Sequence, residues 1–162
     1  MQNGARLIKV YVLLDLKALK YLNVHPYTPP GDLDFESVYV TLRFSILLNS
    51  ALVALKQNTP KSLRLCIDQA TKALDVHSDP VEAGKVEPMT KKLTNEERAK
   101  ALYRRGAARA LLKEYDEASK DLSQAAELVP SDQAVQAELK KVQAKKNEQK
   151  QKQQKIYAKM FS

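Results

Sequence analysis

Tryptophan is absent from the 162-residue chain, aromatic residues make up only 6% of it, and there is one cysteine, two histidines and four glycines. Each scarcity excludes something. With so few aromatics, a core must be built from Ala, Leu and Val, which suits close-packed helices better than a sheet. A lone Cys66 excludes an internal disulfide and any cysteine-rich metal site, and it falls within a helical pattern, where a buried small hydrophobe is expected. His25 and His77 stand beside prolines or charges in loop-like segments, and no Ser/His/Asp grouping, metal-ligand cluster or glycine-rich phosphate loop accompanies them. No catalytic residue, metal site or cofactor is therefore assigned. Long apolar runs are also missing. The most apolar early stretch, LIKVYVLLDL, is short, is interrupted by Lys9 and Asp15, and has no small-residue cleavage site, so neither a membrane span nor a signal peptide is expected. A cytoplasmic, reducing location follows as the default.

What is present is helical periodicity, a formal charge of +8 and 44% hydrophobic residues. The segment KALYRRGAARALLKEYDEASKDLSQAAELVP, Lys100 to Pro130, places small residues at Gly106, Ala118 and Ala125, with Leu122 between the last two. Small residues let two antiparallel helices approach closely, and Pro130, without an N–H, ends the second. A period of ~34 residues with this pattern marks the tetratricopeptide repeat, a helical hairpin that stacks into arrays. Such arrays usually bind peptides in a groove.

The rest of the chain is parsed by the same signals. Residues 5–22 read as a helix, and three prolines and a glycine between His25 and Gly31 break it. Residues 34–56 regain helical spacing, with Val38, Leu42, Ser45, Leu48, Leu52 and Leu55 expected on one side; VYVTLRF alone could be a strand, but the helical spacing continues to Leu55. Thr59-Pro60 reads as N-cap and first helical residue, opening a helix over about 60–76 with Leu63, Ile67, Ala70 and Leu74 inward. Residues 77–93, with Pro80, Gly84 and Pro88, read as a loop. Thr94 with Glu97 predicts a capping box at the head of the clear repeat, whose helices span 95–113 and 116–129. Pro130-Ser131-Asp132 is a break and cap before one long helix from about Gln133 to Met160. The fold expected is all-α, roughly two and a half tetratricopeptide hairpins: a remnant of a first repeat and a Pro-rich loop (1–31), a second repeat (32–76), a loop (77–93), a third repeat (94–130) and a basic capping helix (131–162). Arrays need about three repeats to be stable alone.

Laying Ala51 on Gly106 superposes the two hairpins: Leu63 falls on Ala118, Ile67 on Leu122 and Ala70 on Ala125. Asn49 then occupies the position of Arg104. The first helix of each hairpin lines the concave face of an array, and Lys100 and Arg104, four apart, point the same way. Stacking is thus expected to bring Asn49, Lys100 and Arg104 to one groove, where an amide, an ammonium and a guanidinium fork can hold carboxylates. Arg105 and Arg109 form a second basic pair that either widens this acidic docking surface or is a solvated edge. Residues 140–159 hold eight lysines. Val135, Leu139 and Val142 should seal the last repeat; beyond them the helix has almost no apolar residue until Ile156, Tyr157, Met160 and Phe161, and should project into water. Three readings of this tail are open, in descending order: a solvated capping helix, a basic site for calmodulin or another partner, and a membrane or nucleic-acid contact.

On LLNSALVALK at 47–56, the Lys100–Val142 stretch and the ending IYAKMFS at 156–162, the chain resembles the carboxy-terminal half of the large cyclophilins of the cyclophilin 40 type; KALKYLNVHP at 17–26 is similar to the end of that family's first repeat in its fungal form. The resemblance implies a carboxylate clamp for the acidic Met-Glu-Glu-Val-Asp tail of heat shock protein 90, with Asn49, Lys100 and Arg104 as three clamp residues, and it adds support for calmodulin at the tail. It also implies departures. The family's prolyl-isomerase barrel has no counterpart here, and Met1 to Leu14 does not match the helix that supplies a further lysine and asparagine to the clamp, so Lys9 and Asn3 are not carried over. Asp15 stands where the family tends to have an aromatic. The expectation is a fragment, a divergent paralogue or a mis-set gene start, acting as a non-catalytic adaptor. Two lost charge-assisted contacts at ~1.5–3 kcal/mol each weaken binding by about two orders of magnitude or more. The alternatives are part of a peptidyl-prolyl isomerase without its catalytic domain, or a basic-helix binder of calmodulin or nucleic acid, nucleic acid ranking last.

Overall fold

The computed structural model describes residues 33–75 and 93–160, with side chains from Thr41 onward. The helix expected over 5–22, the Pro-rich segment and the loop before Leu93 lie outside the described residues. Those described form helices α1 (Leu33–Gln57), α2 (Pro60–Asp75), α3 (Asn95–Leu111), α4 (Tyr115–Leu128) and α5 (Gln133–Met160), with no strand among them. The fold is all-α: two antiparallel hairpins, α1–α2 and α3–α4, stacked and closed by α5. Each helix packs on the next in sequence, and α1 also touches α3 and α3 touches α5. These next-but-one contacts set the first helices of successive units side by side.

Caps fix the boundaries. Thr94 and Glu97 form the reciprocal box: Thr94 Oγ1 accepts from the Glu97 N–H at 3.2 Å and Glu97 Oε2 accepts from the Thr94 N–H at 3.0 Å. Thr59 caps α2 in the same manner with Ser62 in the acceptor's place, the Thr59 N–H donating to Ser62 Oγ at 2.9 Å and the Ser62 N–H to Thr59 Oγ1 at 3.2 Å. Asp132 Oδ1 accepts from the Ala134 and Val135 N–H groups at the head of α5. The α3–α4 turn closes with Lys113 in the left-handed region (φ 65°). The Lys113 N–H donates to the Ala110 carbonyl and the Glu114 N–H to that of Arg109, so the last carbonyls of α3 are satisfied by a Schellman-type ending.

The small-residue pattern is the structural contact it was expected to be. Ala118, Leu122 and Ala125 are all 0% exposed and Gly106 is buried. A Cβ on Gly106 would lie 2.9 Å from Leu122 Cγ and 3.2 Å from Asp121 Cβ, closer than carbon atoms pack. The matched hairpin uses Ala51, Leu63 and Ala70, all buried, with Ile67 half-buried. Cys66 is fully buried among them, and burial pushes its thiol up to about 12, opposed by the nearby Arg104 charge.

One face is corrected. The expected stripe on α1 included Leu42 and Ser45, yet both are exposed, Leu42 at 47%. Phe44, Ile46, Leu47, Leu48, Ala51 and Ala54 are buried instead, and Leu52 and Leu55 are half-buried. Because α1 is flanked by both α2 and α3, its buried surface is two-sided and a single stripe cannot describe it. Val38 lies outside the described side chains. At the other end, Val135 and Val142 are buried and Leu139 half-buried against α4, sealing the last hairpin as expected. From Asn147 to Met160 every residue is exposed.

Gly106→Ala should destabilise the chain by about 1–3 kcal/mol through overpacking, and Leu122→Ala by about 2–5 kcal/mol through a cavity. Deleting residues 147–162 should shift stability by less than about 0.5 kcal/mol, because residues 147–160 are all exposed. Urea titrations followed by circular dichroism measure all three.

Candidate functional site

α3 carries most of the candidate residues, and two constraints fix its rotation. On the α4 side, Gly106 lies against Leu122. Beside that contact Arg105 grips Asp121 bidentately, Nη2 to Oδ1 at 2.7 Å and Nε to Oδ2 at 3.0 Å, while Arg109 Nη1 reaches Oδ2 at 2.8 Å. Arg105 also donates to Thr71 Oγ1 on α2 at 3.2 Å. The three charged side chains are 17%, 20% and 4% exposed for Arg105, Arg109 and Asp121. This cluster therefore ties α3 to both α4 and α2. Arg105 and Arg109 both turn donors inward onto the buried Asp121 carboxylate, with Arg105 also reaching Thr71 and Arg109 lying 3.9 Å from Glu117. Asp121 escaped the sequence reading, although a signal was there. It lies three residues after Ala118 and beside Leu122, on the buried face of α4, and a carboxylate at such a position requires a cation.

On the opposite side, Arg104 leans toward α1. Its Nη1 donates to the carbonyl of Leu48, the residue before Asn49. The guanidinium is half-buried, and burial lowers its pKa from the ordinary value, with the Cys66 thiol opposing that shift. Arginine stays charged at any physiological pH. One of its five N–H donors is spent on Leu48, which orients the fork and leaves others for a ligand. The Cys66 thiol donates to the Arg104 carbonyl at 3.5 Å, a further tether between α2 and α3. Asn49 is exposed on α1. The structure thus brings Arg104 against α1 one residue from Asn49.

Lys100 lies one turn earlier on α3 and is exposed. It borders a pocket of about 400 Å³ between α3 and the α4–α5 turn, floored by Ala99, Tyr103, Val129 and Val135, with Glu96 and Asp132 also at its lining. Tyr103 was not singled out by sequence; it follows Lys100 by three residues and so shares its side of the helix. Its hydroxyl pKa is raised, first by burial and then by Glu138 and Asp132.

Among the described residues no group of three or more His, Cys, Asp or Glu side chains is placed to hold a metal ion. No described helix is long and apolar enough to cross a membrane. On α5, Lys141 pairs with Glu138, Lys145 and Lys152 pair with Glu148, and Lys146 reaches Asp116 on α4 at 2.7 Å. Ile156, Tyr157 and Met160 at its tip are 57%, 63% and 71% exposed.

Asp121→Ala should cost about 3–5 kcal/mol, because it strands two half-buried guanidinium groups. Asp121→Asn should be destabilising in the same direction, since an amide keeps the shape but not the charge. Thermal melts of the two variants against wild type provide the measurement.

No protein-family model matches the chain. It is 38% identical over 149 residues to peptidyl-prolyl cis-trans isomerase D of Cryptococcus neoformans, and 37% identical over 149 residues to the protein of that name from Mycosarcoma maydis. Each match covers 90% of this chain and 36% of the relative, so the chain spans about a third of the length of these curated relatives. Over nine-tenths of its length, then, the chain is similar to one segment of these fungal D-type peptidyl-prolyl cis-trans isomerases.

Proposed function

We propose that the chain is a non-catalytic adaptor of the tetratricopeptide kind that docks the acidic carboxy-terminal tail of a chaperone, heat shock protein 90, through a partial carboxylate clamp made by Asn49, Lys100 and Arg104. The observation that carries this reading is the seating of Arg104: a half-buried guanidinium, oriented by the Leu48 carbonyl next to Asn49, with Lys100 exposed one helical turn away. An oriented fork loses less freedom on binding a carboxylate than a free one. Commitment of Arg105 and Arg109 to Asp121 leaves the proposed clamp to Lys100 and Arg104 on this helix. The cytoplasm, where such tails are presented, is the proposed location.

The relatives' name favours a second reading, in which the chain serves protein folding as the binding portion of a D-type isomerase. The two readings assign the same groove. Neither predicts prolyl-peptide turnover by this chain; they differ in whether the groove works beside an isomerase domain, and the genomic sequence upstream of Met1 separates them. Calmodulin or nucleic-acid binding at α5 ranks below both. The exposed mid-section of α5 offers lysines and glutamines and no apolar face, whereas helix-in-groove recognition needs apolar anchors.

Isothermal titration with a Met-Glu-Glu-Val-Asp peptide should give 1:1 binding. Lys100→Ala and Arg104→Ala should each weaken it about tenfold or more, as expected for a charge-assisted hydrogen bond. Equal binding by wild type and the double variant sinks the clamp.

A further inference from the structure

We infer that the projecting half of α5, residues 143–160, is a docking helix for double-stranded DNA, which it enters by the major groove. The site is separate from the proposed clamp and independent of it. Residues 143–160 carry six lysines against one acidic residue, Glu148. From Asn147 to Met160 every residue is exposed, so the helix is bare on all sides. A lone helix is about 10–12 Å across, and the major groove of a B-form duplex, about 12 Å wide, admits it.

The placement of side chains round α5 fits that groove. Val142 is buried with Ala118 and Leu122 of α4 and marks the side of α5 that faces the stack. At about 100° per residue, Asn147, Gln151 and Gln154 lie about 120–180° round from Val142 and point away from the protein. Lys145, Lys152, Lys155 and Lys159 form a row along one flank of these amides, and Lys150 stands on the other flank. The lysine row spans about 21 Å of helix. A helix in a major groove has phosphates on either side and base edges ahead of it. Here cations flank a row of amides, whose donors and acceptors match base edges, adenine above all. Lys150, Lys155 and Lys159 form no salt bridge among the described residues, while Lys145 and Lys152 share Glu148.

Other anionic partners fit this helix less well. A membrane-surface helix needs an apolar face along its length. Between Gln143 and Lys155 the only apolar residue is Ala144, and Ile156, Tyr157 and Met160 make an exposed cluster at the tip alone. Docking in a protein groove needs the same anchors. In duplex RNA the major groove is too deep and narrow for side chains to read. Lysine charge alone draws all of these, so the selection rests on shape and on the amide row.

The test uses the full chain and fluorescence anisotropy with a labelled DNA duplex of mixed sequence, titrated at several salt concentrations. Wild type should bind at low salt, with log K falling against log salt at a slope of about −4, as for four or five neutralised phosphates. Lys150→Gln with Lys155→Gln and Lys159→Gln should reduce that slope by roughly 3. Glu148→Gln, which frees Lys145 and Lys152, should tighten binding several-fold. Asn147→Ala with Gln151→Ala and Gln154→Ala should weaken binding about tenfold at an unchanged slope, because hydrogen bonds are lost and charge is not. Alanine favours the helix, and circular dichroism checks that α5 persists. Wild-type affinity in the amide variant, equal affinity for duplex RNA or for polyglutamate, or tighter binding to phosphatidylserine vesicles overturns groove docking. Absence of binding at low salt overturns the site altogether. The acidic peptide that reports on the clamp is titrated separately, so the two readings fail independently.

Discussion

The close approach of α3 and α4 at Gly106 governs everything else in this structure. Without a Cβ, the helices meet with Leu122 almost on the α3 backbone. That contact sets how far apart they lie and also the rotation of α3. Once Gly106 faces α4, Arg105 stands beside the interface and Arg104, two residues before Gly106, is carried about 200° round the helix, toward α1. The direction in which a cation points at the groove is thus a consequence of a missing methyl group two residues later. A side chain at this position would move α3 outward, and the loss would be felt at Asp121 and at Leu48 together.

Consecutive arginines consequently have opposite environments. Arg105 and Arg109 share Asp121 in a largely buried interface, whereas the half-buried Arg104 donates to a backbone carbonyl of α1. Comparison with the first hairpin is instructive. In the register that lays Ala51 on Gly106, the counterparts of Arg105, Arg109 and Asp121 are Ser50, Ala54 and Cys66, all of them buried. The same packing position is filled once by a charged cluster and once by small, weakly polar side chains. Buried ion clusters are often no more stabilising than apolar replacements of similar volume. What the charged version adds is a reach from α3 to α2 through Arg105 and Thr71, which locks the second hairpin against the first. Cys66 provides its own link to α3 through the Arg104 carbonyl. Either solution joins the two hairpins, and Arg104 sits where the links converge.

Helix existence and ends were legible because they depend on local chemistry. Thr94 with Glu97, Thr59 with Pro60, and Asp132 before a long polar helix each signal a cap within four residues. The spacing of Gly106, Ala118, Leu122 and Ala125 was legible for the same reason, since one hairpin is a local object. What depends on a third element was not. Leu42 and Ser45 were placed inward by a single-stripe reading, but α1 is covered from two directions. Arg105 and Arg109 read as surface cations because their partner lies on the next helix, 16 and 12 residues away, beyond the reach of any i to i+4 rule. The pocket beside Lys100 was invisible in sequence because its walls come from the start of α3 and from the α4–α5 turn, some thirty residues apart.

Two basic surfaces result, and their physics differ. On α5 the lysines past Val142 are exposed, and several are already paired within their own helix, Lys145 and Lys152 with Glu148. These pairs, with good helix formers such as Gln, Lys and Ala, sustain a helix that has no neighbour to pack on. The anchoring points are Val142 and the ion pair from Lys146 to Asp116. Attraction from such a surface is additive, screened by salt and tolerant of geometry, so it favours any polyanion about equally. The groove cations are few, and Arg104 is set by partners on two other helices. Fixed donors reward a ligand only when its acceptors match their spacing. On the proposed clamp reading, discrimination among acidic chain ends would belong to the cations of α3, and α5 would contribute at most a general pull toward negative charge.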